Sequence, residues 1–226
     1  MTVSYILPLK LEEIRDSVMD ALPKSFYFLD AASNESHNQE NDLVRLLTEG
    51  TSLEEQFVLD TIRFVKRCHG NQKRKSGEPF YTHPMSVTEI LLGITKEPSM
   101  LVAALLHDVV EDSLVPISYI KARFGHDVAY IVSKVTHLGS TLRKKKISPV
   151  EMNRLLKAEL GNDIRPIQVK IADRLHNVRT LSVRPREKRT KVAMETLVFY
   201  VPLAEKLGME EWAMELRKIC NKYIVH

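Results

Sequence analysis

Apolar residues recur along this chain every three or four positions, the spacing that lays a stripe down one side of an α-helix. The stripe shows at Leu11, Ile14, Val18 and Leu22, predicting a helix over 9–22. The Asn-, Ser-, Glu- and Gln-rich stretch 31–42 is expected to be a polar loop and linker, with a short helix at Leu43–Thr48 closed by Gly50. Ser52 with Glu55 three residues on is a capping-box pattern, opening a helix that buries Val58, Ile62, Val65 and Cys68 and stops at His69-Gly70. Gly77, Pro79 and Pro84 punctuate the next stretch, so 71–84 is expected to be a loop. Pro84 suits a first helical position, which puts His83 at the helix start. Further helices are expected at Met85–Gly93, Pro98–Asp112, Pro116–Phe124 and His126–Leu138. A basic loop over 139–146 follows, then a helix opened by Ser148-Pro149, and another over Ile164–Leu181. A long helix Lys188–Leu207, kinked at Pro202, and a last one at Met209–Tyr223 complete the chain. With no period-two run and no Asn-Gly hairpin, the expected fold class is all-α: a compact multi-helix array rather than a simple four-helix bundle.

One helix breaks the usual division of faces. Leu101 to Leu106 offer no polar side to water, yet His107, Asp108, Glu111 and Asp112 follow directly. Isolated carboxylates are prohibitively costly to bury, so these groups must find partners or reach solvent at a helix end. His107 and Glu111 are spaced i,i+4, as are Asp108 and Asp112, which places each pair on one side. A second polar set has the same character: Asp173, His176, Asn177 and Thr180 form one continuous helical face between Val169, Ala172, Leu175 and Val178. The plain alternative there is that Asp173 only pairs with Arg74 or Arg174.

Composition narrows the class. The 226 residues are 44% hydrophobic and 27% charged, an ordinary globular balance with room for a sizeable core. No apolar run reaches the roughly 18–20 residues of a membrane span, and the first ten residues lack a signal-peptide pattern. Cys68 and Cys220 make no Cys-x-x-Cys pair and no disulfide framework. The expected compartment is the cytoplasm. Net charge is +4, with basic clusters at Arg143–Lys146 and Arg184–Lys191. These suit an anionic phosphorylated metabolite or nucleic acid. No aromatic interleaving or nucleic-acid module accompanies them, so the solvated-face reading outranks duplex binding.

His83, the His107-Asp108 pair and Asp173 sit at three separated helix positions, each flanked by apolar residues. A lone histidine such as His83 is more often a capping or packing residue than a ligand. Taken together, two imidazoles and two carboxylates make a mixed nitrogen and oxygen set suited to Mn²⁺, Fe²⁺ or Zn²⁺. Absence of cysteine argues against structural zinc, and the carboxylate content favours Mn²⁺. Glu111 and Asp112 follow one turn later, where a general base and a water-orienting group are useful.

Four segments carry a resemblance: 70–79 (Gly-Asn-Gln-Lys-Arg-Lys-Ser-Gly-Glu-Pro), Thr82-His83-Pro84, 103–112, and 170–181, with Glu195-Thr196-Leu197, Pro202-Leu203-Ala204 and Leu207-Gly208 continuing it. In order and spacing, from about Glu54 to Gly208, the chain resembles the hydrolase domain of the RelA/SpoT homologue family, an HD-superfamily alarmone hydrolase. The resemblance implies an HD-type phosphohydrolase fold and Mn²⁺-dependent removal of the 3′-pyrophosphate from guanosine tetra- and pentaphosphate. By motif it makes His83, His107, Asp108 and Asp173 the metal ligands, and Glu111 and Asp112 the catalytic pair that positions and deprotonates water. Arg74 would pack on the guanine, Lys75 and Ser76 would hold the nucleotide, and Asn177 and Thr180 would line the pocket. The expected division is an N-terminal helical extension (1–50), without a counterpart in that family, the hydrolase domain (51–208) and a C-terminal helix packed on that domain (209–226).

The departures are Ser113, where Thr is usual, and an end soon after the hydrolase region, as in a small alarmone hydrolase or an excised domain. Competing readings are a phosphohydrolase of adenine alarmones or of the 2′-phosphate of NADPH, a non-catalytic nucleotide-binding regulator, and a basic nucleic-acid-binding protein. Intact Glu111 and Asp112 argue against the pure binder. The sequence leaves the oligomeric state open.

Overall fold

The computed structural model describes residues 34–144, 154 and 161–224. The helix expected over 9–22 and the one opened by Ser148-Pro149 lie outside the described residues. The architecture within them is all-α, and the one departure is a single isolated bridge between Lys73 and Pro79. Among the described residues no helix is long and apolar enough to cross a membrane.

The first described helix, α1 (Asn34–Gly50), begins where a polar linker was expected. Its last turns bury Leu43, Val44 and Leu47, while Gln39 donates to Ser86 at 3.0 Å and Glu40 pairs with Lys66. A polar composition was misleading here because only one side of the helix meets protein. Helix α2 (Glu55–His69) buries the expected stripe, but Glu54 is its N-cap and makes no side-chain cap bond. Ser52 thus stands two residues outside the helix and its capping box does not form, while Thr51 Oγ1 accepts from the Leu53 amide. Gly70, at φ 50°, turns the chain out of α2 in a conformation that disfavours any side chain.

Helix α3 (Thr82–Leu92) starts one residue before His83, with Pro84 inside its first turn. Helix α4 (Pro98–Leu106) is the core of the molecule: Met100 through Leu106 are all buried, packed against α3, α2, α7 (His126–Lys144) and α8 (Arg165–Arg179). The single helix expected over Pro98–Asp112 is interrupted at His107-Asp108 and resumes as the short α5 (Val109–Asp112). Helix α6 (Ile117–Phe124) packs on α7, which runs through the expected basic loop as far as Lys144.

The expected long helix with a proline kink resolves into three pieces. Helix α9 (Arg186–Glu195) runs into a π-helical turn at Thr196–Tyr200, and α10 (Val201–Lys206) follows. Pro202 lacks an amide hydrogen and crowds the carbonyl four residues back; a π turn at that point relieves both faults without a break. Helix α11 (Glu210–Asn221) closes the array, burying Trp212, Leu216 and Cys220 against α8 and α10.

Because α4 is enclosed on all sides, truncating it opens a cavity that its neighbours cannot fill. Leu101→Ala is expected to lower unfolding stability by about 2–5 kcal/mol in chemical denaturation.

Candidate metal centre and nucleotide pocket

Three helices bring the polar set together. His83 comes from the first turn of α3, His107 and Asp108 from the break after α4, and Asp173 from the middle of α8. Donor atoms of His83, His107 and Asp108 all lie within 4.8 Å of one another. His83 Nε2 is 3.6 Å from Asp108 Oδ2 and 3.1 Å from Asp173 Oδ1, which adds the fourth residue to the cluster. All four expected ligands therefore converge.

The two histidines are prepared differently. His107 Nδ1 lies 2.7 Å from the Ala104 carbonyl and donates its hydrogen there, which leaves Nε2 turned towards the cluster. That Nε2 is buried with no hydrogen-bond partner; Asp108 Oδ1 is 3.2 Å away, close enough for charge attraction but without hydrogen-bond geometry. Burial would depress the His107 pKa, but the Asp108 carboxylate outweighs it and raises the value to about 9. In His83 the balance is reversed, and burial holds its pKa below the ordinary value despite Asp173 and Asp108. Burial opposes ionisation of both carboxylates. Asp108 is nevertheless held low by His107 and His83, and Asp173 by Lys170 and His83. An orphaned imidazole nitrogen, a second imidazole and two ionised carboxylates in one buried cluster fit a divalent transition metal ion.

The residues expected to meet the nucleotide connect to this cluster through Asn177. Asn177 donates to Asp173 Oδ1, and its own Oδ1 accepts from Arg74 Nη2 at 3.2 Å. Arg74 also donates to Thr180 Oγ1 at 3.3 Å and pairs with Glu78 at 3.2 Å, and its guanidinium lies 6.0 Å from the Phe80 ring centre. Arg74 thus pairs with Glu78 and also reaches the α8 face that carries Asn177 and Thr180. Lys75 and Ser76 are exposed on the same loop, with Ser76 donating to Glu78 at 2.7 Å. Asp173 pairs with neither Arg74 nor Arg174, since Arg174 binds Glu195 at 3.0 Å and stacks 4.2 Å from Tyr200.

Several contributors escaped the sequence reading. Lys170, three residues before Asp173 on α8, is half-buried and bonds Asp173 Oδ2 at 3.0 Å; its i,i+3 spacing was the available signal. Gly139 on α7 leaves the room this needs. A Cβ there would sit 3.2 Å from Lys170 Nζ and 3.6 Å from Glu111 Oε2, so the ammonium and the carboxylate flank one point above the glycine. His69 at the end of α2 is buried, stacks 4.8 Å from Phe80, and bonds Gln72 Oε1 at 3.1 Å. Gln72 in turn donates to the Asp112 carbonyl at 3.3 Å, tying the loop to α5. Glu111 is half-buried and Asp112 exposed, so the two acids stand between the cluster and solvent.

A cation and a proton compete for His107, with a definite sign. The protonated form prevails below about 9, so a metal must displace a proton there. Apparent metal affinity is expected to rise with pH by about tenfold per unit across the neutral range, with proton release visible calorimetrically in buffers of different ionisation enthalpy. Asp108→Asn should abolish that binding. Affinity independent of pH would remove His107 from the ligand set.

Comparison with known proteins agrees with this geometry. The HD domain family matches residues 61–210. A guanosine-3′,5′-bis(diphosphate) 3′-pyrophosphohydrolase of Aquifex aeolicus is 40% identical over 185 residues, covering 82% of this chain and 26% of the relative. A GTP pyrophosphokinase rsh of Brucella ovis is 38% identical over 163 residues, covering 71% of this chain and 22% of the relative. The chain thus spans about a quarter of the length of such relatives. Among solved structures, a metazoan orthologue of SpoT that hydrolyses ppGpp superposes with a TM-score of 0.52 at 25% identity, covering 74% of this chain and 96% of that one. The chain belongs to the HD-domain family, and its likeness within that family is to the RelA/SpoT proteins.

Proposed function

We propose that this chain is a metal-dependent hydrolase that removes the 3′-pyrophosphate from guanosine tetra- and pentaphosphate, giving GDP or GTP and pyrophosphate. The observation that carries the reading is the double role of Asn177, which joins the Arg74 loop to Asp173 in the donor cluster. A purine placed against Arg74 therefore stands at a fixed distance from the metal centre. The relatives named above and the ppGpp-hydrolysing metazoan orthologue support the same substrate class. His83, His107, Asp108 and Asp173 would hold the ion, and Mn²⁺ is the ion proposed from their mixed nitrogen and oxygen donors. The proposed setting is the cytoplasm, with a free nucleotide as the partner.

When bound, the ion supplies Lewis acidity to the phosphoryl oxygens, which are the atoms that gain charge. The rest falls to the protein. The Arg74 guanidinium lies flat against the purine, an attraction that an ammonium cannot copy. Lys75 and Ser76, exposed on the same loop, meet the nucleotide phosphates. Glu111 and Asp112 orient a water and take its proton as its oxygen bonds to the phosphorus on the 3′ oxygen. The bond from that phosphorus to the 3′ oxygen breaks, and the proton passes to that oxygen. Lys170, beside both Glu111 and Asp173, places a fixed positive charge where two carboxylates meet the polyphosphate.

Purified protein with Mn²⁺ should release pyrophosphate, not phosphate, from the guanine tetraphosphate, and faster than from adenine alarmones or NADPH. Phosphate release, or an adenine substrate in first place, would contradict the reading. Glu111→Gln should retain the metal and lose about 10²–10⁴-fold in kcat. Arg74→Lys should act on the other side of the reaction, raising KM for the guanine substrate with metal content unchanged and kcat reduced less than in Glu111→Gln.

A further inference from the structure

The rear of the metal cluster carries one contact that the ligand set and the proposed chemistry leave unused. His83 approaches the cluster through Nε2, 3.1 Å from Asp173 and 3.6 Å from Asp108. Its other nitrogen, Nδ1, lies 2.7 Å from Nδ1 of His176, and the two rings are 4.8 Å apart at 41°. His176 stands on the same face of α8 as Asp173 and Asn177, but three residues past Asp173 it reaches behind His83 instead of into the cluster. Its ring also borders a cavity of about 390 Å³ lined by Ser86, Glu89, Ile90, Arg179 and Trp212.

Two nitrogens at 2.7 Å must share one hydrogen, because two lone pairs or two hydrogens would repel. A metal on Nε2 of His83 takes the lone pair there and leaves the ring hydrogen on Nδ1. His176 must then be neutral and accept at Nδ1, with its own hydrogen on Nε2. His107 has the parallel arrangement, its Nδ1 hydrogen held by the Ala104 carbonyl. A side-chain acceptor at His83 thus matches a backbone acceptor at His107. Metal-bound histidines depend on such acceptors for tautomer, ring orientation and donor strength.

We propose that His176 is a positioning residue for the metal centre, fixing His83 as the Nδ1-protonated tautomer with Nε2 directed at the ion. The inference rests on the metal-binding reading above. It assigns His176 no contact with the substrate.

The test uses shape. The Oδ1 of an asparagine can occupy the place of a histidine Nδ1 and accept the same hydrogen bond, whereas a phenylalanine keeps the ring and puts a C–H there. Mn²⁺ titration of the full chain should show His176→Phe binding 10–100-fold more weakly than wild type. His176→Asn should stay within a few-fold, and kcat of His176→Phe should recover at saturating Mn²⁺. Melting temperature measured alongside separates this from a general packing loss, which would affect the asparagine variant at least as much. Should His176→Phe fail to fold, ¹⁵N spectra of wild-type protein loaded with diamagnetic Zn²⁺ give an independent answer, expected as a proton on Nδ1 of His83. Wild-type affinity in His176→Phe, equal losses in both variants, or a His83 proton on Nε2 would each overturn the proposal. His83→Ala keeps the two readings apart. If it binds Mn²⁺ as wild type does, the ligand assignment fails, whereas a loss there with no loss in His176→Phe leaves the metal centre standing and removes His176 alone.

Discussion

The cost of burying polar donors at the end of an apolar helix governs this structure. Helix α4 has no face for water, yet it delivers His107 and Asp108 into the interior, where Asp173 and His83 meet them. Within the protein His107 and Lys170 offset the charges of Asp108 and Asp173, but His107 Nε2 is left with no hydrogen-bond partner. A buried unsatisfied polar nitrogen costs roughly 1–3 kcal/mol. A divalent cation that displaces the His107 proton would give that nitrogen a partner while keeping the carboxylates compensated. The interruption between α4 and α5 falls at His107 and Asp108, both of which keep right-handed helical backbone angles.

Around that cluster the supporting contacts are short and come from different elements. Asn177 carries the position of Asp173 to Arg74; Lys170 neutralises the outer oxygen of Asp173 and stands near Glu111; Gly139 leaves space for both. Gln72 reaches from the Arg74 loop to the Asp112 carbonyl. The Arg74 loop, the donor cluster and α5 are therefore held by one connected set of contacts rather than as independent parts. Under the proposed function the consequence is positional: a purine on Arg74 and an ion on Asp173 would share Asn177 as their common reference.

Much of this was legible in the chain. The helical class followed from apolar period, and the convergence of His83, His107, Asp108 and Asp173 from polar side chains stranded among apolar ones, while their roles as ligands came from the family resemblance as an expectation. What sequence could not show follows from physics that acts across space. Helix α1 was hidden by its polar composition, because contact with α2 and α3 on one side suffices to order it. The π turn before Pro202 and the break at His107 are local compromises that no periodicity encodes. Lys170, His69 and His176 are common residue types whose meaning depends on their partners. Their spacing on a helix shows a face but not what lies opposite. The capping box at Ser52 failed because the helix starts later, with Glu54 at the N-cap, so Ser52 stands two residues outside it.

The central claim is that two imidazoles and two carboxylates from three helices form one metal centre. Pulsed electron paramagnetic resonance of Mn²⁺ bound to the wild-type chain tests it directly, because ¹⁴N modulation reports nitrogen ligands without reference to activity. The account predicts modulation from two imidazole nitrogens, falling to one in His107→Ala. A Mn²⁺ signal with oxygen ligands alone, or one unchanged by that substitution, would contradict it.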